Sequence, residues 1–211
     1  MKKRILLCAI SMLCSSAYAV LPGFYLGMMF GPATNSGETR QAQLMNVPAT
    51  VEATPRSTQY GSSLLLGYKV NQYAGSEFGF TYYSGIDYDT KDLQTCSSAN
   101  TRVRDLHALF RGSFPLGTSF DVFGKAGVAL VYQTTSGALN PDFSQECGDS
   151  KVSNKPSGSF ALGVSYDLSQ NWVSDVSVNT LLAGGAAGNV TWYALGITYH
   201  FVDTYCGQFL C

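Results

Sequence analysis

The stretch Arg104-Asp105-Leu106-His107-Ala108-Leu109-Phe110-Arg111-Gly112-Ser113-Phe114, followed shortly by Phe120-Asp121-Val122-Phe123-Gly124-Lys125-Ala126-Gly127-Val128, decides the fold. In the first segment Leu106, Ala108, Phe110 and Phe114 share one face, and Asp105, His107, Arg111 and Ser113 share the other. In the second, Phe120, Val122, Ala126, Val128, Leu130 and Tyr132 oppose Asp121, Lys125 and Gly127. Successive side chains of a strand point to opposite faces, so a period of two marks strand where 3.6 would mark helix. The residues 115–119 between the segments are too few for anything but a tight turn. The pair is therefore an antiparallel hairpin with one apolar and one polar face.

The same alternation recurs outward from this hairpin. It covers Phe24 to Phe30, Tyr60 to Val70 and Ser76 to Ser84 before it, and Phe160 to Tyr166, Trp172 to Leu182 and Tyr193 to Phe201 after it. That makes eight strands, each about the length that a tilted membrane-crossing strand needs. Short connections at 71–75, 115–119 and 168–171 alternate with longer, polar ones at 32–59, 85–103, 133–156 and 183–189. Strict alternation puts every tight turn at one end of a meander. The expected fold is all-β: an eight-stranded antiparallel up-and-down transmembrane β-barrel, with short periplasmic turns and longer extracellular loops.

A soluble barrel or a β-sandwich would also alternate, but with its bulky face turned inward. Here Gly27, Gly67, Gly79, Gly127, Gly163 and Gly196 lie on the polar face, with several Ser and Thr. The interior of an eight-stranded barrel is only wide enough for side chains to fill it. Small and polar residues suit that interior, and the Phe, Leu, Val and Tyr of the other face then point outward, which only lipid tolerates. Aromatics also gather at strand ends, among them Tyr60, Tyr68, Tyr82, Phe114, Phe120, Tyr132, Tyr166, Trp172 and Tyr193, where interfacial girdles sit.

Composition agrees. Of 211 residues 45% are hydrophobic and 13% aromatic, yet only 13% are charged, so a disordered chain is excluded. Mean hydropathy is close to zero, too low for a bundle of membrane helices. Lys2, Lys3 and Arg4 precede an apolar run from Ile5 to Leu13 and then Ala17-Tyr18-Ala19. That order is a secretory signal peptide, with cleavage expected after Ala19. The expected division is a signal peptide at 1–19, an outer-membrane barrel at 20–201 and a short tail at 202–211. The exported chain would carry ten basic and fourteen acidic side chains, which gives no general attraction to nucleic acid. Cys96, Cys147, Cys206 and Cys211 would remain, an even number in an oxidising compartment. The topology sets Cys96 and Cys147 in outer loops and Cys206 and Cys211 in the tail, so these are the expected disulfide pairs. No Cys-x-x-Cys or nearby His suggests zinc, and no cofactor is expected.

Leu106 to Gly117 followed by Phe120 to Gly127 resembles the central hairpin of OmpA/OmpX-like small outer-membrane barrels. Phe24-Tyr25-Leu26-Gly27 and Leu195-Gly196-Ile197-Thr198-Tyr199-His200-Phe201 fit the same family. The resemblance implies a location in the bacterial outer membrane among its lipids and lipopolysaccharide. It also implies that Tyr199 and Phe201 form the C-terminal signal read by the barrel-assembly machinery. Ten residues follow Phe201, too few for a peptidoglycan-binding domain.

The inward-facing charged positions, Lys69, Glu77, Asp105, His107, Arg111, Asp121, Lys125 and Asp175, are the nearest thing to a chemical site. Charges in a narrow lumen must pair, because unpaired burial costs several kcal/mol. Simple hairpins at 71–75 and 115–119 would set Lys69 across from Glu77 and Arg111 diagonal to Asp121. Neither His107 nor His200 has a Ser two residues on, so the His and Ser pair of a lipid-deacylating barrel is missing. Three functions follow in order: a non-enzymatic, monomeric surface barrel whose loops 32–59 and 133–156 contact host or cell-surface molecules; a narrow channel for small solutes or ions; and, last, a lipid-modifying enzyme.

Overall fold

In a computed structural model, the structure describes residues 23–36, 40–43, 50–55, 59–89, 99–117, 119–136, 150–169, 171–184 and 188–201. The expected signal peptide, the tail 202–211 and all four candidate disulfide cysteines lie outside the described residues. Among the described residues there are ten strands: β1 (Gly23–Asn35), β2 (Arg40–Gln43), β3 (Thr50–Pro55), β4 (Gln59–Lys69), β5 (Ala74–Asp89), β6 (Ala99–Pro115), β7 (Phe120–Ser136), β8 (Ser150–Asp167), β9 (Trp172–Gly184) and β10 (Gly188–His200). β1 and β4 to β10 each pair antiparallel with their neighbours in chain order, and β10 returns to pair with β1. The eight-stranded barrel expected from the alternation is therefore closed, which leaves no unpaired edge for lipid to meet.

The alternation sorts side chains as the sequence reading required. Phe24, Met28, Phe30, Leu64, Phe78, Phe110, Val128 and Leu162 point out, Leu162 being 72% exposed, whereas inward Tyr25 is 2% exposed. The outward apolar side chains form a continuous belt that only a lipid environment can accommodate. Aromatic contacts close its periplasmic rim: Phe24 with Tyr68, Phe120 with Tyr166, and Trp172 with Tyr199 have ring centroids 4.6–5.0 Å apart.

The strands and their connections depart from the sequence reading in three places. First, the strands run well past their expected ends. β5 reaches Asp89, β6 starts at Ala99, β7 reaches Ser136 and β8 starts at Ser150, so much of the supposed loops 85–103 and 133–156 is barrel wall. Apolar alternation reports only contact with lipid; the backbone ladder continues above the membrane with polar residues such as Arg102, Thr134 and Asn154 facing out. Second, the connection at 183–189 is short: β9 ends at Gly184 and β10 begins at Gly188, both with positive φ near 60°, a backbone that favours glycine. Third, part of 32–59 is itself sheet, since β2 pairs with β3 and Thr54 of β3 pairs with Asp89 of β5.

The interior differs too. Besides small and polar residues it holds Tyr25, Met29, Leu65, Tyr83, Val103, Phe123, Leu181 and Trp192, all buried. The glycines of the polar face are what make room for them. A side chain at Gly67 would run into the ring of Tyr25, and one at Gly79 into the ring of His107. Large inward residues and inward glycines are thus two halves of one packing arrangement.

Candidate functional site

The lumen has two storeys. Near the periplasmic end, four buried or nearly buried charges meet. Glu77 of β5 accepts from Lys125 Nζ of β7 at 2.6 Å, from the Tyr25 hydroxyl of β1 at 2.7 Å and from Arg111 Nη1 of β6 at 3.3 Å. Arg111 Nη2 also donates to Ser165 Oγ of β8 at 2.6 Å and reaches Asp175 Oδ1 of β9 at 3.3 Å. Asp175 accepts a further bond from Thr198 Oγ1 of β10 at 3.0 Å. The Arg111 guanidinium lies over the Phe123 ring, 4.1 Å from its centroid, and Lys125 Nζ stands 5.0 Å from the same ring. Seven of the eight barrel strands contribute a group, and two carboxylates balance two cations. The remaining strand, β4, contributes the gap at Gly67 that admits Tyr25.

Strand register explains why the expected partners are not the actual ones. Lys69 stands opposite Gly75, and Glu77 opposite Gly67, so Lys69 and Glu77 are one dyad out of step. Lys69 instead approaches Asp121 at 3.9 Å, near the mouth. Arg111 is opposite Lys125 and Asp121 is opposite Pro115, so Arg111 is not diagonal to Asp121. Of the two carboxylates that hold Arg111, Glu77 is its diagonal neighbour on the adjacent strand β5, and only Asp175 comes from across the lumen, which no tight-turn argument could reveal. Asp105 and His107, two residues apart on β6, meet each other, with His107 Nδ1 2.6 Å from Asp105 Oδ1. Tyr25, Ser165 and Thr198 were missed because hydroxyls carry no charge signal; their inward parity was the available clue.

The upper storey is mainly apolar, with the buried side chains of Gln59 and Thr101 also on its inward face. Tyr83 and Trp192 meet edge to face with centroids 6.0 Å apart, packed with Val103, Val131, Leu181 and Val190. Above them Gln133 of β7 donates across to the Gly184 carbonyl at the end of β9, at 3.1 Å.

The Asp105–His107 pair has the form of an oriented base, but the nearest alcohols are engaged: Thr81 Oγ1 bonds Ser63 Oγ, which bonds the Phe80 carbonyl. His200 stacks on Tyr25 with centroids 4.9 Å apart. Tyr199 and Phe201 are half-exposed or exposed on the outer face of the closing strand, their rings 5.2 Å apart, and the Phe201 amide bonds the Phe24 carbonyl.

Comparison with known proteins gives consistent results. The family model of the OmpA-like transmembrane domain matches residues 22–204. Outer membrane protein A of Serratia marcescens is 26% identical over 149 residues, covering 68% of this chain and 40% of that protein. The chain thus spans about two fifths of that relative's length. Among solved structures, Neisserial surface protein A superposes with a TM-score of 0.59 at 13% identity, covering 85% of this chain and 97% of that one. OprG from Pseudomonas aeruginosa superposes with a TM-score of 0.53 at 15% identity, again over 85% and 97%. These two likenesses concern the fold alone.

Proposed function

The chain belongs to the OmpA-like transmembrane domain family and resides in the bacterial outer membrane, and from that premise we propose that it is a non-enzymatic, sealed barrel that anchors and displays an extracellular surface. The observation that carries this reading is the filled lumen. A neutral ion cluster lies beneath an apolar plug built on Tyr83 and Trp192, and ions do not cross apolar packing without a hydrated path. Reconstituted into planar bilayers beside a general porin as positive control, the refolded protein is expected to give no discrete current. A unitary current that changes with Arg111→Ala would replace this reading with the narrow channel.

The displayed surface is the barrel wall above the membrane, together with the β2–β3 hairpin that extends β5. Such a wall offers polar, hydrogen-bonding surface on a rigid base, the usual platform for binding loops. Removal of residues 37–55 is expected to abolish adhesion of expressing cells to host cells or matrix while leaving the barrel folded by its electrophoretic heat shift. Unchanged adhesion would remove the first long connection from the binding surface.

A further inference from the structure

One cationic feature lies on the outer face, where charge is otherwise scarce. Arg104 and Arg102 of β6 point away from the lumen and are exposed. Arg104 is ten residues above Phe114, itself 61% exposed at the periplasmic rim. At about 3.3 Å per residue and a tilt near 40° this is a height of about 25 Å, the full height of the apolar band. Arg104 therefore sits at the outer membrane interface, level with Tyr82 and Tyr132, its neighbours in register. Its guanidinium lies 5.6 Å from the Tyr82 ring centroid, which holds it against the barrel wall. Arg102 is one dyad higher, about 6–7 Å further along the strand, beside Thr134. Among the described residues neither guanidinium is paired with a carboxylate.

A groove of about 590 Å³ begins beside the same tyrosine. It runs across the lipid face from Tyr82 and Phe80 past Leu64 and Met28 towards Ile197 and Ser174. Phe80, Leu64, Met28, Ile197 and Ser174 are successive partners across the sheet, and because the strands tilt, this row descends towards the periplasmic side. Outward Ser62 and Ser174 open the groove where their neighbours carry large apolar side chains.

An unpaired cation pair at the interface above an apolar groove that descends into the bilayer is complementary to an acylated, phosphorylated lipid. We propose that this face binds lipopolysaccharide of the outer leaflet, with a phosphate on Arg102 and Arg104 and an acyl chain in the groove. Bidentate guanidinium–phosphate contact is strong where water is scarce, and the ring beneath Arg104 limits the side-chain freedom lost on binding.

The test uses the refolded protein in micelles, titrated with purified lipopolysaccharide and with the same lipid after phosphate removal, followed by native mass spectrometry. Each basic side chain at an anionic membrane surface is worth about fivefold in affinity, so the protein is expected to prefer the phosphorylated lipid by tenfold or more. The Arg102→Ala/Arg104→Ala variant is expected to lose that preference. Lys155→Ala removes an equal kind of charge from a position on β8 opposite inward Val131, and is expected to keep it. Ser62→Phe, which fills the groove, is expected to weaken both lipids alike. All substituted positions are exposed, and the heat shift verifies folding of each variant. Equal affinity of the unaltered protein for both lipids would overturn the proposal, as would equal losses in the arginine and lysine variants. Full displacement of the lipid by inorganic phosphate would also overturn it, since the acyl chain would then contribute nothing.

Discussion

Glu77→Ala is expected to lower the unfolding free energy of the barrel in lipid vesicles by about 3–5 kcal/mol, measured by denaturant titration. The magnitude follows from what the substitution leaves behind. Glu77 is 1% exposed and accepts from Lys125, Arg111 and Tyr25 at once. Removing it strands Lys125, whose side chain is 2% exposed, with no other carboxylate in contact among the described residues. Arg111 fares better, because Asp175 and Ser165 still hold it. Tyr25→Phe deletes one hydrogen bond to a charged group and should cost about 1.5–3 kcal/mol. Lys69→Ala breaks only a 3.9 Å contact at the partly solvated mouth and should cost about 1 kcal/mol or less. The order Glu77, Tyr25, Lys69 is the informative outcome. Equal effects at Glu77 and Lys69 would mean that water reaches the cluster, and the sealed lumen would fall with it.

How much of this was legible in the sequence depends on which contacts are local. Alternation across Leu106 to Phe114 and Phe120 to Tyr132 is a property of neighbouring residues, and it gave the strands, their inward and outward faces and the closed barrel. The same information located inward charges but not their partners. Arg111 and Asp175 are 64 residues apart and meet only because closure brings β6 and β9 across one lumen. Register errors of one dyad, as at Lys69 and Glu77, keep the face and change the partner, since parity repeats every two residues. The upper apolar plug escaped for a different reason. Tyr83 and Trp192 were credited to no girdle because they sit on the inward parity, and an aromatic there is explained only by the glycine opposite: a side chain at Gly61 would meet Trp192. Strand ends escaped because polarity marks where lipid stops, and hydrogen bonding between strands does not stop there.

The position of the lipid boundary can be measured on one strand. Met28 of β1 is 59% exposed and lies midway between Phe24 at the periplasmic rim and Pro32, which is opposite Tyr60. Met28→Arg would place a cation near the bilayer centre and is expected to destabilise the folded barrel by about 2–4 kcal/mol. Thr34 points to the same side six residues further on, above Tyr60, where its hydroxyl bonds the Thr191 carbonyl. Thr34→Arg is expected to cost about 1 kcal/mol or less, because the guanidinium is there in water and only one exposed hydrogen bond is lost. The contrast depends mainly on the surrounding medium, since both side chains are exposed and on one face of one strand and the single hydrogen bond lost at Thr34 works against it. Equal costs at the two positions would mean that no apolar slab surrounds the barrel. With the expected contrast, an arginine is costly at the height of Met28 and tolerated at and above the tyrosine girdle, where Arg104 and Arg102 already stand on β6.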